Sequence, residues 1–305
     1  MTIPHTNSLG RAMLKNRWLY LLLLPGLVYF IIFKYIPIFG LRIAFMDYNQ
    51  YDPGASTFVG FDQFIRLFSK RSFQPVLANT LKISILKLIC GFPLPVILAL
   101  MMNEMRGLLY KKISQTLLYL PHFISWVIMA GIIMNMLDPS TGVVTAIITG
   151  ITGNPVNVLS DKAAFVPMLV ITDVYKEMGW GTIIYFAAMS GIDPQYYEAA
   201  VIDGAGRWKQ TWSITVPTIM PTIIIMFVLS CGNILNAGFD QIFMLYTAQV
   251  YEVADIIDTF VYRMGIQRND YAFSTAAGMF KSVVAFVLIL IVNQIAKRTG
   301  NEGIF

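Results

Sequence analysis

The sequence predicts an all-α membrane protein with six transmembrane helices and, between the fourth and fifth, a cytoplasmic helix-turn-helix. Three observations carry this. Of 305 residues, 56% are hydrophobic and only 13% charged, with mean hydropathy +0.64, too little charge to coat a soluble globule of this size. Six apolar stretches reach the roughly 20 residues that a helix needs to cross bilayer hydrocarbon. Lys and Arg gather in alternate connections between those stretches. With no internal repeat, low-complexity tract or second domain, residues 1–305 read as a single transmembrane domain.

The first stretch, Trp18 to Phe39, follows Arg11, Lys15 and Arg17; its length and the lack of a small-residue cleavage pattern predict a retained helix, not a signal peptide. Four more run from Val76 to Met101, Thr116 to Leu137, Ala164 to Ser190 and Val216 to Asp240, and the last from Ser274 to Ala296. In the first outer connection, Phe61, Phe64 and Phe68 recur at near-helical spacing and predict a short amphipathic helix on the membrane surface. Ten Lys and Arg residues fall on one side (Arg11, Lys15, Arg17, Arg106, Lys111, Lys112, Arg207, Lys209, Lys297 and Arg298) against seven on the other, which places both termini in the cytoplasm. Cys90 and Cys231 lie in apolar stretches without metal or redox spacing and read as buried small residues.

The connection after the fourth stretch carries the most specific signal. Asp193 before Pro194 is a helix start, and Gln195 to Ile202 supplies about two turns. Gly204 and Gly206 offer backbone freedom for a tight turn, and a second short helix, Arg207 to Thr215, is expected to stop near Pro217. Ala199, Ala200 and Ala205 leave the surface nearly bare, so another protein could pack closely against it. An ordinary amphipathic connector, with Glu198 paired locally, is the plainer alternative.

Glu198-Ala199-Ala200, then Gly204, then Ile214 and Pro217 resemble the EAA loop of binding-protein-dependent ABC importer permeases, with Val216 where the family has Leu. Asp203-Gly204-Ala205 resembles the carbohydrate-uptake branch. The segments Gly60 to Phe68, Asn79-Thr80-Leu81 and Phe239-Asp240-Gln241-Ile242 are also similar to sugar permeases, oligosaccharide permeases in particular. The resemblance implies that Glu198, Ala199, Ala200, Asp203, Gly204 and Ala205 couple ATPase closure to the membrane helices. It also implies a second homologous permease, two copies of a cytoplasmic ATPase, an extracytoplasmic solute-binding protein, and a multi-pass location in the bacterial cytoplasmic membrane. The chain has no Gly-x-x-x-x-Gly-Lys-Ser/Thr loop, so ATP and Mg are expected on the ATPase partners and no cofactor on this chain.

Ionisable groups inside spans are costly and usually face a cavity or each other. The fourth stretch holds Asp173, Tyr175, Lys176, Glu177 and Trp180; Asp173 and Lys176 share a face, so mutual neutralisation competes with lining a substrate path. In the fifth, Ser230, Asn233 and Asn236 fall on one side of a continuous helix, where they serve either sugar hydroxyls or interhelical bonding. Sugar permeases place substrate contacts in the middle of these two helices, and the resemblance favours that role. Lys34, Lys82, Lys87 and Lys281 lie toward the outer ends of spans; snorkelling to headgroups is the plain reading, and a vestibule for an acidic oligosaccharide the sharper one. An ion-coupled secondary transporter using Asp173 and Glu177 is the alternative function, and a non-transporting scaffold a third. No Cys/His pairing suits catalysis, and His5 and His122 have no evident metal partners, so the chain is not expected to be an enzyme by itself.

Overall fold

The computed structural model describes residues 16–154 and 156–298, so His5, Arg11 and Lys15 lie outside the described residues. The described residues are mostly helical, and the one sheet among them pairs Met46–Asp47 with Thr57–Phe58. The first span, α1, runs Arg17–Phe45. The expected surface helix is α2, Asp62–Ser69, with Gln63 and Leu67 buried and Phe61, Ile65 and Phe68 exposed. The second span, α3, covers Phe73–Asn103.

The third span differs from expectation. It is α4, Leu108–Phe123, and α5, Trp126–Met136, which meet at 99°. Pro121 sits in a tightened last turn, Ile124 is extended, and the Ser125 hydroxyl accepts from the Ile128 N–H to start the next helix. A fresh N-cap two residues after the turn made by proline ends one helix and begins another, despite unbroken apolarity.

After α6, Val143–Thr152, comes the fourth span α7, Lys162–Ser190, 29 residues long and less apolar than the others because Asp173, Lys176 and Glu177 interrupt it. The coupling segment follows as α8, Pro194–Ile202, and then α9, Arg207–Gly232. The second coupling helix therefore does not stop near Pro217; it is the first two turns of the fifth span. A wide five-residue turn at Thr211–Thr215 absorbs the proline that an ordinary α-turn would reject.

The fifth span ends earlier than expected, at Gly232, which meets the Ile289 side chain of the sixth so closely that a methyl there would lie 2.1 Å from Ile289 Cδ1. The chain then leaves the helix through residues 233–238 and re-enters α10, Phe239–Leu245. Two short outer helices, α11 (Tyr251–Ala254) and α12 (Ile257–Tyr262), lead to the sixth span α13, Tyr271–Arg298.

The interior divides by depth. At the end away from α8, Phe165, Leu169, Ile83, Ile242 and Leu245 form the largest core, and Leu67, Phe73, Phe260 and Phe273 form a second under α2. Toward the coupling segment, Ala99, Tyr185, Met189 and Ile219 join α3, α7 and α9. Cys231 is buried as expected, whereas Cys90 is exposed on α3, contrary to the expectation.

Close approach of α7 to α4 depends on Gly179, where a methyl would lie 1.9 Å from the Leu118 carbonyl oxygen. Gly179→Ala must push the two backbones apart. We expect it to lower thermal stability in detergent by about 1–3 kcal/mol, the usual cost of overpacking. Gly278→Ala, in open space on α13, serves as the control and should melt with the parent.

Candidate functional site

The polar residues of the fourth span do not pair as their spacing suggests. Asp173 accepts from Lys87 of α3 at 2.8 Å, not from Lys176. The remaining protons of the Lys87 ammonium go to the Ala237 carbonyl at 2.9 Å and Gln241 Oε1 at 2.5 Å. Gln241 is fully buried and donates in turn to the Leu169 carbonyl and Thr172 Oγ1, both at 2.8 Å. Lys87 thus ties α3, α7 and the non-helical segment after α9 into one node, with its side chain only 10% exposed. Snorkelling, the expectation for this lysine, is excluded because all three donors point inward.

Lys176 is also buried; it donates to the His122 carbonyl at 2.8 Å, reaches Glu177 Oε1 at 3.2 Å and lies over the Trp126 ring. Glu177 Oε2 is 2.7 Å from His122 Nδ1. His122 stacks on Trp180 with centroids 4.4 Å apart and planes 3° from parallel. His122, for which the sequence offers no metal partner, is hydrogen-bonded and stacked here because the end of α4 packs against α7. Tyr175 is exposed and takes no part in this cluster.

Two cavities take up the remaining candidates. One of about 250 Å3 brings Lys87, Asp173, Glu177 and Ser230 together beneath Tyr185. A larger one, about 740 Å3, has Asn236 in its wall with Trp126, Asp240 and Tyr262. The expectation that Ser230, Asn233 and Asn236 share one helical face fails: Asn233 caps the helix, its amide donating to the Leu229 carbonyl, and Asn236 lies beyond the helix end. Gly238 (φ +92°) shapes this stretch, and a methyl there would sit 2.7 Å from Lys87 Nζ.

At the other end of the molecule the coupling segment has the expected start. The Asp193 side chain accepts from the Gln195 N–H at 2.9 Å and Pro194 opens the helix. Of the two turn glycines, only Gly204 takes a left-handed conformation (φ +73°); Gly206, at φ −70°, simply precedes α9. Gln210 Nε2 donates to the Ala205 carbonyl across the turn, and Tyr197 Oη lies 2.8 Å from Thr215 Oγ1, joining α8 to the wide turn of α9.

Glu198, Ala199, Asp203 and Gly204 are exposed, while Ala200 and Ala205 are half-buried. Among the described residues Glu198 has no basic partner, and the nearby ion pair is Arg207 with Glu104. Ile202 and Trp208 project from the same tip, 85% and 76% exposed, a pair of large apolar side chains that the motif alone did not single out. The turn thus presents a left-handed glycine flanked by two large exposed apolar side chains.

This fold, with a protruding knob continuous with a spanning helix, defines a membrane permease of the importer type. Residues 91–301 match the family described as binding-protein-dependent transport system inner membrane component, and the chain belongs to it. It is 46% identical over 295 residues to protein LplB of Bacillus subtilis (strain 168), covering 96% of this chain and 93% of that one. It is 42% identical over 294 residues to the polygalacturonan/rhamnogalacturonan transport system permease protein YteP of the same strain, covering 96% and 92%. A chain of the bacterial alginate ABC transporter, solved in complex with an alginate pentasaccharide-bound periplasmic protein, superimposes with a TM-score of 0.87 at 42% identity, covering 97% of this chain and 99% of that one.

Removing one member of a buried ion pair leaves the other uncompensated, at about 3–5 kcal/mol. Lys87→Met should therefore lower the stability of the purified protein toward that range, and adding Asp173→Asn should recover part of the loss. A double variant whose loss is the sum of the two single losses would show that the two charges are not energetically coupled.

Proposed function

We propose that this chain is the membrane permease of an ATP-driven importer for oligosaccharides, with acidic sugars as the substrate class. The observation that carries the coupling is the continuity of α9: a push on the knob at Glu198 to Trp208 is a push on the cytoplasmic end of the fifth span. The acidic class is supported by the printed descriptions of two relatives, one transporting polygalacturonan and rhamnogalacturonan and one alginate.

The working assembly contains this chain, a second homologous permease, two copies of a cytoplasmic ATPase that bind ATP and Mg, and an extracytoplasmic solute-binding protein that delivers the sugar. Both termini and the knob lie in the cytoplasm. Glu198, Ala199, Ala200, Asp203, Gly204 and Ala205 form the surface that enters the ATPase, with Ile202 and Trp208 as apolar flanks. ATPase closure moves the knob, and the fifth span carries that motion to the midplane. There Asp173, Glu177 and Ser230 border the small cavity, and Trp180 and Asn236 offer a stacking face and an amide to passing sugar. Asp173 and Lys176 serve mainly to hold the helices, because each is consumed by an internal partner. The same pairing argues against a proton or Na⁺ site at Asp173.

The test is ATP-dependent uptake of a labelled oligosaccharide by the complete complex in liposomes. Glu198→Lys should abolish transport and weaken ATPase association while the chain still inserts. Gly204→Val should do the same, because a β-branched residue is strained at φ +73°. Uptake that ignores both substitutions would overturn the coupling role.

A further inference from the structure

The structure sorts the four lysines near the span ends into different roles. Lys34 and Lys82 are exposed on the surface of the chain, and Lys87 has spent its donors on Asp173, Ala237 and Gln241. Lys281 is different: it lies in the wall of the 740 Å3 cavity, across from Trp126, Asn236, Asp240 and Tyr262.

Its ammonium is held by both oxygens of Asp258, at 2.6 and 2.7 Å, and the two side chains are 21% and 24% exposed. The pair is therefore reachable from the cavity without being open solvent surface. Its surroundings suit a sugar ring. Tyr262 packs against Phe239 and Phe243, which fixes an aromatic wall. Two glycines, Gly238 and Gly265, stand where a side chain would collide with Lys87 Nζ or Ser274 Oγ, so the wall is bare backbone at both points. Asn236 and Asp240 are exposed hydrogen-bonding groups on the same lining.

We propose that Lys281 recognises the carboxylate of a uronate ring in this cavity, and that Asp258 is the internal carboxylate that occupies the ammonium while the cavity is empty. The assignment rests on the reading of this chain as a permease for acidic oligosaccharides. A carboxylate held by a lysine through both oxygens is the contact a uronate would make, so the exchange replaces one charge-assisted pair by another. It also keeps binding weak, as a conduction path requires. Asp258 competes for the ammonium, and Asp240 leaves the lining with two carboxylates against one lysine, so the uronate is accepted and then released. A purely structural pair, pinning α12 to α13, predicts something else: removal of either partner would harm transport of every sugar alike.

The experiment uses the complete reconstituted complex and two probes of equal size, labelled trigalacturonate and its methyl ester, which lacks the charges. Because all variants share one binding protein, its own preference cancels when each acid-to-ester uptake ratio is divided by that of the parent. Lys281→Gln should lower the ratio about ten-fold, the scale of one charge-assisted hydrogen bond, and Lys281→Arg should keep most of it. Asp258→Asn should move the ratio the other way, upward, by freeing the ammonium. Ratios that stay at the parent value, or that shift in the same direction for Lys281→Gln and Asp258→Asn, overturn the assignment. Loss of ATP dependence in the parent complex would instead overturn the importer reading beneath it.

Discussion

A charge in bilayer hydrocarbon must find a partner or a cavity, and in this protein that constraint decides which helices touch. Lys87 is the clearest case. Its three donors are met by a carboxylate from α7, a backbone carbonyl from the break after α9, and an amide from α10. Through Gln241 the same node reaches the Leu169 carbonyl and Thr172. None of these groups could be left unmade at that depth without several kcal/mol of desolvation cost. The parts of α3, α7 and α10 around this node are consequently fixed to one another by an ion pair and four further hydrogen bonds, around which the aliphatic core of Ile83, Leu169 and Ile242 closes.

The same rule explains where the helices break. Non-helical backbone is tolerated at membrane depth only where protein or a polar cavity satisfies it. The bend between α4 and α5 sits beside such a cluster, since Lys176 donates to the His122 carbonyl in the turn and Glu177 engages the His122 ring. Residues 233–238 sit beside the other, with the Ala237 carbonyl bound by Lys87. The charges of the fourth span are thus brackets for two broken helices flanking it. Their mixture with Trp180, Ser230 and Asn236 gives the outer half of the molecule its polar, irregular surface.

Much of this was legible in the sequence, and the failures have physical causes. Among the described residues, apolar length marked four spans and a bent fifth, the charged α7 falling outside that test, and the Asp193-Pro194 start and the Gly204 turn placed α8 and the turn after it, because these are local signals. The errors came where apolarity continues through a break. Thr116 to Leu137 is uniformly apolar, so only Ser125 after Pro121 betrayed the 99° bend. The stretch toward Asp240 hid the exit at Asn233 in the same way. In the opposite sense, Pro217 suggested a stop that the wide turn at Thr211–Thr215 removes. Pairing across helices was the least legible. Spacing offered Lys176 to Asp173 as an i,i+3 neighbour, while the true partner, Lys87, lies 86 residues away.

The two ends of the molecule are therefore built differently. At the knob, α8 and α9 are joined by local bonds, the turn bond from Gln210 to Ala205 and the contact of Tyr197 with Thr215, and α9 then runs unbroken to Gly232. Such a rod transmits displacement without loss. Above Gly232 the rod ends, and polar side-chain contacts join the apolar cores in holding the helices: Lys87 with its three acceptors, Lys281 with Asp258, His122 with Glu177. The knob end is thus held by a continuous helix and the opposite end by polar contacts between helices. A bundle apolar throughout could slide without discrete positions, whereas buried ion pairs are costly to leave unmade and so hold the helices in register.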